Sequence, residues 1–141
     1  MAHQNPGDEE IRELLTSMRT VAMAGASDKA NRPVYGVSQF LNDHGIRTIP
    51  VNPRLDGRTV LGETCYATLA DLPEPVDLVD CFINSQRVGA IVDQAITIGA
   101  PAVWLQLNVI DEAAAARAEK AGLMVVMDRC PAIEWRRLGL G

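Results

Sequence analysis

Apolar positions along this chain alternate between short unbroken runs and helical repeats, and that alternation predicts an architecture. Residues 1–7 are expected as a loose terminus, followed by one domain over residues 8–141. Ile11, Leu14, Leu15 and Met18 fall on one face of a first helix, for which Asp8 is the expected cap. The run from Thr20 to Ala24 is a first strand. Val34, Val37, Phe40 and Leu41 then repeat at helical spacing behind Pro33, whose missing N–H costs nothing in a first turn, and Gly45 stands where a C-cap glycine belongs. A second strand runs from Ile46 to Val51. Periodicity fades from Arg54 to Pro75 among Gly57, Gly62 and Pro73, which predicts a crossover with at most a short helix near residues 67–72. Val76 to Ile83 is the third strand. Val88, Ile91, Val92, Ala95 and Ile96 line the next helix, closed by Gly99. Ala102 to Leu107 is the fourth strand, Asp111 caps an alanine-rich helix ending at Gly122, and Leu123 to Met127 is the fifth. A short helix from Pro131 completes the chain.

Strands that alternate with helices, and read as continuous apolar runs, belong to a parallel sheet covered on both faces. Right-handed crossovers then give an α/β, doubly wound, Rossmann-like sheet of about five strands, whose ligands bind at the C-terminal strand ends.

Composition narrows the partners. Apolar residues make up 48% and charged residues 22% of 141 positions, which suits a folded domain and excludes a disordered one. A formal net charge of −5 without a Lys/Arg stripe argues against nucleic acid as the partner. No apolar run approaches the ~20 residues of a membrane span, and the first residues lack a signal-peptide pattern. Cys65, Cys81 and Cys130 are odd in number and widely spaced, which fits neither a disulfide framework nor a zinc site. A cytoplasmic protein with reduced thiols is expected.

The chemistry concentrates in Gly25-Ala26-Ser27, with Lys29, Arg32 and Pro33 behind it. A strand that stops at glycine, a loop with hydroxyl and cationic groups, and a helix N-terminus together make an anion site. One glycine does not make the three-glycine dinucleotide fingerprint, and the second strand ends in Asn52-Pro53-Arg54 instead of an acidic residue for ribose hydroxyls. The Gly-Lys-Ser/Thr ending of a nucleotide P-loop is absent too. A ligand with a diphosphate and a phosphorylated ribose fits better, which leaves coenzyme A and NADP. Gln106, polar at a parallel strand end, needs a partner. Trp104 reads as core, and His3 and His44 have no catalytic companion. Cys130 sits after Arg129 and ahead of a helix start, features that lower a thiol pKa, so a mixed disulfide with a bound thiol is one hypothesis beside an inert packed cysteine.

The chain resembles the small stand-alone coenzyme A-binding proteins, whose fold is similar to the N-terminal domain of the succinyl-CoA synthetase alpha subunit. The resembling stretches are residues 21–27 with Arg32-Pro33, then Pro50-Val51-Asn52-Pro53, Leu61-Gly62-Glu63, residues 75–80, residues 103–107 and Met127-Asp128-Arg129-Cys130. The resemblance implies a phosphate loop of Gly25, Ala26, Ser27, Lys29 and Arg32, an adenosine end near Val51, Asn52 and Pro53, and a continuation lined by Phe82, Asn84 and Ser85. Ile83 stands where the family often has an arginine, leaving that phosphate contact missing or moved to Arg87. Asn108 replaces a common glycine and is expected to crowd the fourth loop.

The function expected is non-catalytic binding of coenzyme A or acyl-CoA, since the phosphorylated histidine and further domains of the synthetase are not seen. The alternatives are an NADP-dependent oxidoreductase, an acyl-transfer subunit completed by a partner chain, and a nucleotide-responsive regulatory module. A homodimer or a partner protein is left open.

Overall fold

The structure, a computed structural model, describes residues 2–141. Its strands are β1 (Thr20–Ala24), β2 (Arg47–Val51), β3 (Thr59–Val60), β4 (Glu63–Thr64), β5 (Leu78–Cys81), β6 (Ala102–Leu105) and β7 (Met124–Met127). Its helices are α1 (Asp8–Ser17), α2 (Pro33–Asp43), α3 (Val88–Thr97), α4 (Glu112–Lys120) and α5 (Pro131–Arg137). Five strands form one parallel sheet in the order β2-β1-β5-β6-β7. The expected doubly wound α/β architecture is therefore the fold.

Alternation along the strands divides the core. Ala22, Ala24, Val79, Cys81, Val103 and Leu105 face α3 and α4, while Val21, Met23, Leu78 and Trp104 face α1, α2 and α5. Ala114, Ala115 and Ala118 are fully or almost fully buried, so the small residues of α4 let it lie close on the sheet. Trp104 is wholly buried and donates its indole N–H to the Arg129 carbonyl at 2.8 Å. The helix ends follow the expected chemistry: beyond α2, Gly45 turns the chain at φ 80° and Ile46 N–H reaches back to the Leu41 carbonyl.

Four local expectations are corrected. Gly7, not Asp8, caps α1, and the Asp8 carboxylate instead meets Arg137 at 2.8 Å. The third strand is shorter than residues 76–83, because the Asp77 carboxylate takes the Arg19 and Thr20 N–H groups and the chain turns away after Phe82. The fourth strand ends at Leu105, two residues earlier than expected. The crossover holds a two-stranded antiparallel strip, β3 with β4, besides 3-10 turns at Pro53–Leu55 and Leu69–Asp71. This strip lies beside β2, an edge strand, where Pro50 removes no ladder bond that the sheet needs. Near the N-terminus, the Asn5 side chain bonds both the N–H and the carbonyl of Met127.

Candidate functional site

The direction in which strands are added to the sheet reverses between β1 and β5: the first crossover places β2 on one side of β1, and the chain then returns to build outward on the other. Loops leaving the two neighbours part at such a point, and a crevice opens beyond the strand ends. Here it is a cleft of about 900 Å³ bordered by the loops after β1, β2, β5 and β6.

Gly25 is what lets the loops after β1 and β5 meet. It adopts φ 83°, and a Cβ there would stand 2.5 Å from the Phe82 carbonyl oxygen. Its N–H and that of Ala26 both donate to the Val51 carbonyl, and the Asn52 side chain donates to the Ala26 carbonyl at 2.8 Å while accepting from Arg54 N–H. Gly25, Ala26 and Asn52 thus stitch the phosphate-type loop to the end of β2. The N–H groups of Ser27 and Asp28 have no partner in the protein, whereas Lys29 N–H donates to the Ser27 hydroxyl at 3.1 Å. The loop borders the cleft, and its unpartnered N–H groups begin two residues beyond Gly25.

Charge is concentrated over these donors. Lys29, Arg32, Arg54 and Arg87 line the cleft against one carboxylate, Asp28, and none of the four forms an ion pair among the described residues. The arginines elsewhere are mostly engaged: Arg47 bonds Glu63 and Glu74, Arg117 bonds Asp93, and Arg137 bonds Asp8 and Glu134. α2 starts beside the loop with Pro33 in its first turn, no side-chain cap and no acidic residue there, so the positive end of its dipole is uncompensated.

The structure brings Gly25, Ala26, Ser27, Lys29, Arg32, Pro33, Val51, Asn52, Pro53, Phe82, Asn84 and Gln106 to the cleft. Ser85 does not line it. Its hydroxyl donates to the Asn108 carbonyl and accepts from Ile110 N–H, clipping the loop after β5 to the loop after β6. Arg54, Thr68, Ile91 and Gln94 line the cleft without having been placed among the expected site residues, and Arg87, named only as the alternative position for one phosphate contact, lines it as well. For Arg54 and Arg87 the signal was a cation next to a strand end; Thr68, Ile91 and Gln94 carry none. Asn108 takes the left-handed region at φ 66°, which an Asn tolerates, and its N–H donates to Asp128 at 2.8 Å.

The buried polar groups near the sheet divide sharply. Gln106 is 8% exposed, and its Oε1 has neither solvent nor a hydrogen-bond partner. Asp80 lies inside β5 with both carboxylate oxygens unpartnered, and burial pushes its pKa well above the ordinary carboxylate range. The same burial, with Asp80 adjacent, pushes the Cys81 thiol up. Cys130 is 6% exposed and packed in the α1/α2/α5 layer, which is how an inert packing cysteine sits. His44 rests between the carbonyls of Phe40 and Gly141, and His3 between Glu119 and Asn5.

A parallel sheet with a crevice at the reversal of its strand order defines a Rossmann-like α/β class. Within it, the chain belongs to the CoA binding domain family, whose model matches residues 19–136. It is 32% identical over 127 residues to the uncharacterized protein YneT of Bacillus subtilis (strain 168), covering 90% of this chain and 93% of that one. A hypothetical protein from Pyrococcus horikoshii OT3 superposes with a TM-score of 0.91 at 39% identity, with both chains fully covered. A dinucleotide-forming acetyl-coenzyme A synthetase of Ca. Korarchaeum cryptofilum matches at TM-score 0.67 and 21% identity, over 77% of this chain and 26% of that one, a likeness of fold alone. No helix among the described residues is long and apolar enough to cross a membrane.

Proposed function

We propose that this chain binds coenzyme A or an acyl-CoA in the cleft beyond the C-terminal strand ends, and that it acts as a binding module without chemistry of its own. One observation carries the proposal: four cations without protein partners converge on unpartnered backbone N–H groups and an uncapped helix N-terminus. Such a constellation costs free energy through like-charge repulsion unless an anion fills it. Membership of the CoA binding domain family supports coenzyme A as that anion. Ser27, Lys29 and Arg32 would hold the diphosphate, and Arg54, beside Asn52 and Pro53, would hold a phosphorylated ribose. Both histidines and all three cysteines are employed elsewhere in the fold, which supports binding over catalysis.

Thermal unfolding with coenzyme A, acetyl-CoA, NADP, NAD and ATP in parallel tests the assignment. A ligand at one hundred times its dissociation constant stabilises by about 2.7 kcal/mol, a shift of several degrees for a domain of this size. The expected result is a shift with the CoA compounds alone. A shift with NADP alone favours the oxidoreductase reading, and no shift with any of the five removes the proposal.

A further inference from the structure

We propose that the Gln106 carboxamide reads a secondary amide in an extended, uncharged arm of the ligand, a deepening that rests on the coenzyme A reading above. The cleft is graded in character from one end to the other. Its cations stand on the loops after β1, β2 and β5, whereas its lining after β6 is Gln106, Leu107, Asn108 and Val109, with no charge. A ligand laid along it therefore places its phosphates at one end and a neutral portion at the other.

Distance sets the length of that portion. In the order β2-β1-β5-β6, the β6 end lies two strand spacings from the phosphate loop, about 10 Å at roughly 4.8 Å per strand. The arm that coenzyme A extends from its diphosphate spans that distance and carries two secondary amides along it.

The Gln106 head group is the feature of this end left unused by the fold. The backbone around it is held on every side: Gln106 N–H donates to the Cys81 carbonyl, Val109 N–H to the Gln106 carbonyl and Asn108 N–H to Asp128. The Ser85 clip adds two more bonds. Against this saturated loop, Oε1 is buried without a partner. A buried orphan of this kind is costly, and it persists where something outside the chain satisfies it. The terminal torsion of a glutamine is soft and roughly twofold, so the head can turn its acceptor to the cleft. There Oε1 accepts an amide N–H and the NH2 donates to the same amide's carbonyl, a pairing that phosphate, which only accepts, cannot complete. Phe82 and Val109 beside it supply an apolar flank, and Leu107, 44% exposed, continues that surface outward.

Isothermal titration of wild type and Gln106→Leu with coenzyme A and with adenosine 3′,5′-bisphosphate, which lacks the arm, decides the matter. The expected result is coenzyme A binding weakened about 10- to 100-fold with bisphosphate affinity unchanged. The apo variant should melt at or above the wild-type temperature, since the orphan is gone; a structural role would lower it. Equal loss for both ligands, or loss for neither, overturns the amide contact while leaving coenzyme A binding standing. Wild-type protein that binds neither ligand overturns both proposals. Should Gln106→Leu fail to fold, the Gln106 side-chain NH2 resonances of wild type must shift with coenzyme A and stay in place with the bisphosphate, or the contact is excluded.

Discussion

At the C-terminal ends of the strands, Lys29, Arg32, Arg54 and Arg87 border a 900 Å³ cleft without a carboxylate bonded to any of them. At the opposite ends, a 360 Å³ hollow is lined by Glu10, Glu13 and Asp77, beside the last turn of α1. One of these carboxylates is engaged in structure: Asp77 accepts the Arg19 and Thr20 N–H groups that enter β1. α1 has no basic residue in that last turn, so its dipole adds negative potential to the carboxylates. α2 and α3 present the reverse: the N-terminus of each borders the cleft, and neither has an acidic residue in its first turn. One end of the sheet is therefore lined by carboxylates and the other by cations. A net charge of −5 conceals this, because an overall balance says nothing about which end holds which sign.

The largest break in that polarity comes from Gly25→Ala. A methyl group at φ 83° meets the Phe82 carbonyl at 2.5 Å, so the variant should lose about 4 kcal/mol in urea unfolding and lose ligand binding with it. Unchanged stability would mean the loops after β1 and β5 separate without cost.

Next in size is the Lys29→Ala, Arg32→Ala double variant, expected to weaken coenzyme A binding about 100-fold. Glu10→Ala with Glu13→Ala, at the other end, should change it less than twofold. Similar losses from both pairs in calorimetry would erase the distinction between the ends.

Asp80 sits between the two ends and tests how dry the sheet is. Its folded-state pKa is raised above that of the unfolded chain. Any stability it retains is thus fully present below about pH 4, and falls as pH rises and the unfolded chain ionises first. Relative to Asp80→Asn, wild type should lose up to about 1.4 kcal/mol per pH unit through this range, read from unfolding curves at pH 4 to 7. Parallel curves for the two proteins would show that the carboxyl finds water.

The smallest effect belongs to Arg47→Ala. Its pairs with Glu63 and Glu74 are solvent-exposed, so stability should fall by less than about 1 kcal/mol and ligand affinity should not move.

Most of the fold was legible because each major element buries a continuous apolar run or a helical stripe. The β3/β4 strip was not, because strands of two residues show no periodicity. The phosphate-type loop was legible in type but not in detail: Gly25 and Ala26 looked like free donors until their N–H groups were seen to hold Val51. Ser85 was placed on the correct loop, yet its hydroxyl turns to Asn108 and Ile110 instead of the cleft. That Asp80 is dry was not legible, since an acidic residue in a strand is normally wet on one face, and pairing with β1 and β6 on both sides sealed it.

By itself the sequence determined the alternation of strands and helices, the glycine that ends β1, the helix start at Pro33 and the need of Gln106 for a partner. These are local properties, set by side-chain spacing and by the backbone freedom of single residues. The tertiary structure alone decided that Arg54 and Arg87, 33 positions apart, face one cleft, that its charge grades from cationic to neutral, and that Asp80 is dry. Those depend on strand order and on which loops border the reversal between β1 and β5, and strand order is a choice among long-range pairings that no local pattern encodes.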